Sequence, residues 1–165
     1  MMKQNRIALG GLLTALGVGI LLISSVLPVM KVGMAAAAGV VTAIAVVRLG
    51  IGTAALTWIA TSALALLIVP SKTAALLFAA FFGPYALVKN LVERHLHGWT
   101  QWLPKLAFCT VLSALLLRVS AQILNLVPDV LAGVLPLAVL LIDIIFVVYD
   151  VVFSKLISYF IVRIS

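Results

Sequence analysis

Residues 32–69 have the sequence VGMAAAAGVVTAIAVVRLGIGTAALTWIATSALALLIV, in which Arg48 is the one charged residue. Lys31 precedes this stretch and Pro70 follows it. Each residue of a helix adds about 1.5 Å, so about 20 apolar residues cross the roughly 30 Å hydrocarbon core of a bilayer. The stretch therefore predicts two membrane-spanning helices, 32–47 and 50–69, joined by a very short turn.

Apolar runs of this kind extend over the whole chain. Of its 165 residues 65% are apolar, whereas soluble domains have about 45–50%. The 11 Lys or Arg and 4 Asp or Glu residues are too few for the surface of a soluble domain. This composition excludes a soluble enzyme, a nucleic-acid-binding domain and a disordered tail. We predict an all-α membrane protein, a single domain over 1–165, with transmembrane helices at 7–27, 32–47, 50–69, 73–92, 104–127 and 130–149 and an extension over 150–165.

Two alternatives to this layout stay open. The number of spans becomes five or seven if 32–47 is re-entrant or if the last apolar run is split. The first run is also compatible with a cleaved signal peptide, with Lys3 and Arg6 as its basic end and Ala35–Ala37 as the cleavage site. Its apolar stretch is longer than the roughly 7–15 residues of a signal-peptide core, which favours a retained helix.

The placement of Lys and Arg predicts the orientation. With a cytoplasmic N-terminus, the outer loops carry only Lys31 and Lys72. Cytoplasmic loops of membrane proteins are enriched in basic residues, so we expect both termini to be cytoplasmic. The net charge of +7 is spread thinly between apolar runs and predicts no nucleic-acid partner. The inner basic residues are then Lys3, Arg6, Arg48, Lys89, Arg94, Lys105, Lys155 and Arg163.

Small residues mark a face of the first helix and most of the second. Gly11, Ala15 and Gly19 recur at four-residue spacing and so share one face. Membrane helices associate by close backbone approach over such faces. This face either packs inside the bundle or docks a separate membrane subunit. The second helix is small on every side over Ala35–Gly39, and we expect neighbouring helices to bury it.

Polar side chains inside the spans are the candidate ligand-binding groups, because uncompensated polar groups are costly in hydrocarbon. Arg118, Gln122 and Asn125 fall on one face of the fifth helix and predict a polar wall of an outward-facing pocket. Alternatively, Arg118 snorkels to the headgroups. Trp58 on the third helix and Asp143 on the last complete the candidate ligand-binding set. Thr57 and Thr61 lie beside Trp58, and threonines in membrane helices often bond their own backbone. Pro84 predicts a bend in the fourth helix.

Asp143 and Asp150 lie seven residues apart and so share a face of the last helix. Two turns separate them by roughly 10 Å, which argues against an aspartyl-protease pair, because those carboxylates share a proton at close range. We expect Asp150 to pair with Lys89 or Arg94 and Asp143 to pair with Arg118. A ligand-binding or coupling role is the alternative.

No motif in the sequence predicts catalysis. A phosphate-binding Gly-rich loop, a nucleophile elbow and a His-Glu-x-x-His motif are all missing from the sequence. His95 and His97 form a His-x-His pair close to Glu93, but no third ligand follows at a defined spacing and the loop is basic, so we expect a surface loop and no metal site. Cys109 is the single cysteine and excludes an intramolecular disulfide. We predict no enzymatic activity and no cofactor.

The chain resembles the substrate-binding membrane subunits (S components) of energy-coupling-factor transporters and related small six-helix bacterial membrane proteins. The resemblance extends mainly over 6–127 and depends on the small face of the first helix, on Arg48–Gly52 and on Phe81–Lys89. It implies transport of a small molecule such as a vitamin across a bacterial cytoplasmic membrane. It also implies a transmembrane coupling subunit docked on Gly11 and Ala15, with Gly19 following, and cytoplasmic ATPases as further partners.

Two departures from this family are visible. The docking face has Gly and Ala in place of two alanines, and the outer loop Val29–Val32 is too short for a substrate lid. A membrane scaffold of the MreD (cell-shape) type has a similar size and number of helices. The polar wall favours a binding subunit, whereas short loops and few polar groups favour a scaffold. A self-sufficient transporter or channel needs coupling-ion ligands near the midplane, for which only Asp143 qualifies.

Overall fold

The computed structural model describes residues 2–95, 98–123, 137 and 139–155, without the side chains of 2–4, 28, 98–99 and 116–123. The regular structure of these residues is helical throughout, with short 3-10 turns at Pro28–Met30 and Gly98–Gln101. The predictions of an all-α fold and of six helices are confirmed for this part of the chain. The helices are α1 (Met2–Ile23), α2 (Lys31–Leu49), α3 (Ile51–Ile68), α4 (Lys72–His95), α5 (Trp102–Ile123) and α6 (139–155).

Helices α1 to α4 are each long and apolar enough to cross a membrane, and α5 is apolar over Trp102–Leu115. Many large apolar side chains of these helices are exposed, among them Leu67 at 79% and Ile7 at 72%. Such exposure is what lipid-facing positions require. The chain divides into two compact units, unit 1 up to Leu91 and unit 2 from Val92.

The core of unit 1 is built around α2, which packs against α1, α3 and α4. Ala35 and Ala38 are fully buried. A Cβ at Gly39 would lie 3.0 Å from both the Cβ and the carbonyl oxygen of Phe82, so the backbones of α2 and α4 approach closely. The expectation that neighbouring helices bury the small residues of α2 is confirmed.

Helix α1 ends at Ile23, four residues before the boundary that Pro28 predicts. The Ser24 hydroxyl donates to the Leu21 carbonyl at 2.5 Å, and the Ser25 amide bonds the Leu22 carbonyl at 3.0 Å. These local bonds compete with the regular helical pattern and tighten the last turn.

Gly50 alone separates α2 from α3. Its φ of 85° lies in the left-handed region that glycine adopts without a steric penalty. Its amide bonds the Val46 carbonyl at 3.1 Å, and its carbonyl accepts from the Ala54 amide at 3.0 Å. One residue therefore closes α2 and opens α3.

Helix α4 changes its winding in the middle. It is α-helical over Lys72–Leu77, π-helical over Phe78–Phe82 and α-helical again over Gly83–His95. Pro84 has no amide hydrogen, so the ordinary bond to the carbonyl four residues earlier cannot form. The wider π turn directly before it accommodates this loss.

Unit 2 contains α5 and α6. Lys105 contacts Asp150 and Thr110 contacts Asp143, which shows that the two helices run antiparallel. The buried stripe of α6 has alternating four- and three-residue spacing. Helix α6 continues past Tyr149, the predicted end of the last span, to residue 155. The stripe is formed by Val139, Phe146, Asp150 and Phe153, with half-buried Asp143 in the same series.

Candidate functional site

The small-residue face of α1 points away from the packing of unit 1. Gly11 and Ala15 are exposed and Gly19 is half-buried. Among the described residues, no atom lies within 4 Å of a Cβ built at Gly11 or Gly19. The described residues of unit 1 therefore do not pack against Gly11 or Gly19, and the docking of a separate subunit on this face stays a prediction.

Helix α1 packs inside unit 1 through a different set of small residues. A Cβ at Gly10 would meet the Thr57 hydroxyl at 3.6 Å, and a Cβ at Gly17 would lie 3.0 Å from the Thr61 methyl group. Sequence reasoning missed these glycines. The signal that identifies them is the alternating four- and three-residue spacing of Gly10, Thr14, Gly17, Leu21 and Ser24, all of which are buried.

The hydroxyl groups in the middle of α3 bond to their own helix. Thr57 donates to the Thr53 carbonyl at 3.0 Å, and Thr61 donates to the Thr57 carbonyl at 2.8 Å. Such hydrogen bonds from a threonine hydroxyl to the backbone of its own helix are the arrangement considered in the sequence analysis. These two hydroxyls use their donor protons within the helix and keep none for a ligand.

Trp58, a predicted ligand-binding residue, contacts the π-helical part of α4. Its indole N–H donates to the Ala79 carbonyl at 3.1 Å. A Cβ at Gly83 would collide with the indole ring. The geometry gives Trp58 a structural partner, which satisfies the one polar group of its side chain.

The predicted polar wall is only partly described. Arg118 and Gln122 belong to α5, but their side chains, and all of Asn125, lie outside the described residues. Arg118 follows Thr110 by eight residues, which is about 12 Å along the helix axis. The predicted pairing of Arg118 with Asp143 stays a prediction.

Asp143 lies opposite Thr110, a partner that the sequence analysis did not single out. The Thr110 hydroxyl is 2.9 Å from Asp143 Oδ2 and 2.9 Å from the Leu106 carbonyl oxygen. Asp143 Oδ1 is buried and has no hydrogen-bond partner among the described residues. The thiol of buried Cys109 also hydrogen-bonds this carboxyl, but a thiol is a weak donor.

Asp150 pairs with Lys105, a partner that the sequence analysis did not name, and its predicted pairing with Lys89 or Arg94 stays a prediction. Lys105 Nζ lies 3.2 Å from Asp150 Oδ2 and 2.7 Å from Glu93 Oε1. The side chains of Lys105 and Asp150 are each 3% exposed, and that of Glu93 is 41% exposed. This ion cluster joins α4, α5 and α6 inside unit 2.

A shallow groove follows the seam between α5 and α6. One part has a volume of about 520 Å³ and includes Thr110 and Asp143 in its wall. The adjoining part, of about 770 Å³, extends to Trp102. Both parts share Leu106 and Val147, and most of their lining is apolar. Among the described residues, no three His, Cys, Asp or Glu side chains are grouped closely enough to hold a metal ion.

No family model, curated protein or solved structure matches this chain. The class of protein therefore follows from the fold alone. Its apolar helices make it an all-α, multi-pass membrane protein.

Proposed function

We propose that this chain is a non-enzymatic substrate-capture subunit of an importer of the energy-coupling-factor type. In this proposal α1 docks a transmembrane coupling subunit, the chain holds a small molecule, and cytoplasmic ATPases supply the energy. The chain itself needs no cofactor for this role. The membrane would be the bacterial cytoplasmic membrane, with both termini inside.

The observation that carries the proposal is the exposed face of Gly11, Ala15 and Gly19. Helix α1 already packs inside unit 1 through the buried series that includes Gly10 and Gly17. Glycine inside a helix costs about 1 kcal/mol relative to alanine, so the fold gains nothing from glycines on the outer face. A helix of another membrane protein gains close backbone contact there.

The ligand half of the proposal depends on polar residues of unit 2. Arg118, Gln122 and Asn125 remain the proposed wall of a pocket, and Asp143 lines the groove between α5 and α6. Trp58 is the weakest member of the proposed set, because its indole N–H is already bonded to Ala79.

Co-purification tests the docking step. The double variant Gly11→Leu, Ala15→Leu fills the exposed face with bulk and is expected to lose at least nine-tenths of the co-purified coupling subunit and ATPases. Ala60→Leu, Ala63→Leu is the matched control, because both alanines are exposed on α3. Equal recovery of the partners with both variants would remove the docking face from the proposal.

A membrane scaffold of the MreD type is the second candidate. Thr57 and Thr61 bond their own helix, and a scaffold requires interaction faces without a polar pocket. Mass spectrometry of the co-purified proteins separates the candidates. Recovery of a coupling subunit with two ATPases supports the importer. Recovery of cell-wall synthesis proteins that are lost in the Gly11→Leu, Ala15→Leu variant supports the scaffold.

A further inference from the structure

The groove between α5 and α6 contains a carboxylate with too few hydrogen-bond donors. The single Thr110 proton has two acceptors at 2.9 Å, the Leu106 carbonyl and Asp143 Oδ2. The other donor to this carboxyl is the Cys109 thiol, which is a weak one. Asp143 Oδ1 has no hydrogen-bond partner among the described residues. An ionised carboxyl accepts at about four positions, so the described surroundings of Asp143 leave most of this capacity unused.

The remainder of the groove is apolar and elongated. From Thr110 it passes Leu106 and Val147 and reaches Trp102. Trp102 precedes Thr110 by eight residues, which is about 12 Å along α5. Volumes of about 520 and 770 Å³ for the two parts are within the range of small-molecule sites.

We propose that this groove binds a lipophilic primary amine, with its ammonium group at Asp143 and its apolar chain along Leu106 and Val147 toward Trp102. An ammonium group brings three N–H donors and a positive charge to the carboxylate. Asp143 lines the groove, and a half-turn about the two-fold torsion of its carboxyl group exchanges Oδ1 with Oδ2, so either oxygen can take the position that faces the groove. The inference rests on the capture half of the proposed function and names its class of ligand.

The charge of Asp143 selects this occupant over other amphiphiles. A fatty acid places a second anion beside the carboxylate in a medium of low dielectric constant. A neutral alcohol offers one donor and no charge. An alkyl chain without a polar head leaves Asp143 Oδ1 without a donor, which is costly in an apolar environment.

Dodecylamine is a suitable probe, since its extended chain is long enough to span the roughly 12 Å between Thr110 and Trp102 along α5. Binding is measured by native mass spectrometry on the purified chain in phosphatidylcholine nanodiscs, with dodecanol and dodecanoate as matched probes. We expect dodecylamine to bind at least tenfold more tightly than either. Equal binding of all three overturns the proposal, because it identifies a surface for lipid tails without selection for an amine.

Two variants locate the site. Asp143→Asn keeps the size of the side chain but removes its charge, and is expected to weaken dodecylamine binding at least tenfold. Ala107→Leu fills the exposed groove wall between Thr110 and Trp102 and is expected to weaken it at least fivefold. Val111→Leu adds bulk on α5 at a 70% exposed position that is not part of the described groove walls and is expected to leave binding unchanged.

Unchanged binding with Asp143→Asn or with Ala107→Leu contradicts the proposal. Because Ala107 is exposed, its variant tests the groove even if Asp143→Asn folds poorly. The measurement uses the chain without partners. If the unmodified chain does not bind dodecylamine but still co-purifies with a coupling subunit, this inference alone is refuted. If the chain binds dodecylamine but co-purifies with no coupling subunit, the importer is refuted.

Discussion

The indole ring of Trp58 on α3 lies over Gly83 on α4 and occupies the space that any side chain at position 83 would need. The same indole donates to the Ala79 carbonyl within the π-helical stretch. Together these contacts fix α3 against the irregular part of α4. They also explain why the residue before Pro84 is a glycine.

Gly83→Ala is predicted to destabilise the protein by about 1–3 kcal/mol, the usual cost of an overpacked core. Its methyl group would collide with the Trp58 ring and lie 2.9 Å from the Phe78 carbonyl oxygen. Chemical unfolding in mild detergent, followed by circular dichroism, measures the change. Gly52→Ala is the control, because its Cβ meets no described atom within 4 Å, and it is expected to be neutral or slightly stabilising. Equal stability of the two variants would contradict the Trp58 contact.

Lys105→Met is predicted to destabilise unit 2 by about 3–5 kcal/mol, because it removes the Lys105 cation from its buried pair with the Asp150 carboxylate. Asp150 is 3% exposed and lies 3.2 Å from Lys105 Nζ. Glu93→Gln is expected to cost less than about 1 kcal/mol, since Glu93 is 41% exposed and solvent screens its charge. Thermal unfolding of both variants checks the order. A larger loss with Glu93→Gln would contradict the importance of the buried pair.

The predicted orientation is tested by cysteine labelling in a Cys109→Ala background, in which no other thiol is present. Val29 is 97% exposed within the short 3-10 turn before α2, and Arg94 is exposed near the end of α4. A membrane-impermeant maleimide should label Val29→Cys in intact cells and Arg94→Cys only after lysis, because cytoplasmic loops retain the basic residues. The reverse pattern would invert the orientation.

The helices and the burial of α2 are predictable from the sequence, because long apolar runs and a cluster of alanines leave few alternatives. The packing face of α1 is not. Gly11, Ala15 and Gly19 form one regular series and Gly10, Thr14, Gly17, Leu21 and Ser24 another. Only the positions of α2 and α3 decide which series is buried.

The contacts of the two aspartates with Lys105 and Thr110 could not be predicted for a similar reason. Their shared face follows from helical spacing, but the register of α6 against α5 decides which residues they meet. That register sets Asp150 beside Lys105 and Asp143 beside Thr110. A shift of one turn would give each carboxylate a different neighbour.

The single-residue link at Gly50 has a consequence for biogenesis. Two apolar helices joined by one residue place the end of α2 and the start of α3 at the same side of a membrane. We therefore expect them to enter the lipid together as a hairpin, with Arg48 beside its tip. Lengthening this link would therefore change the insertion pathway before it changed the final packing.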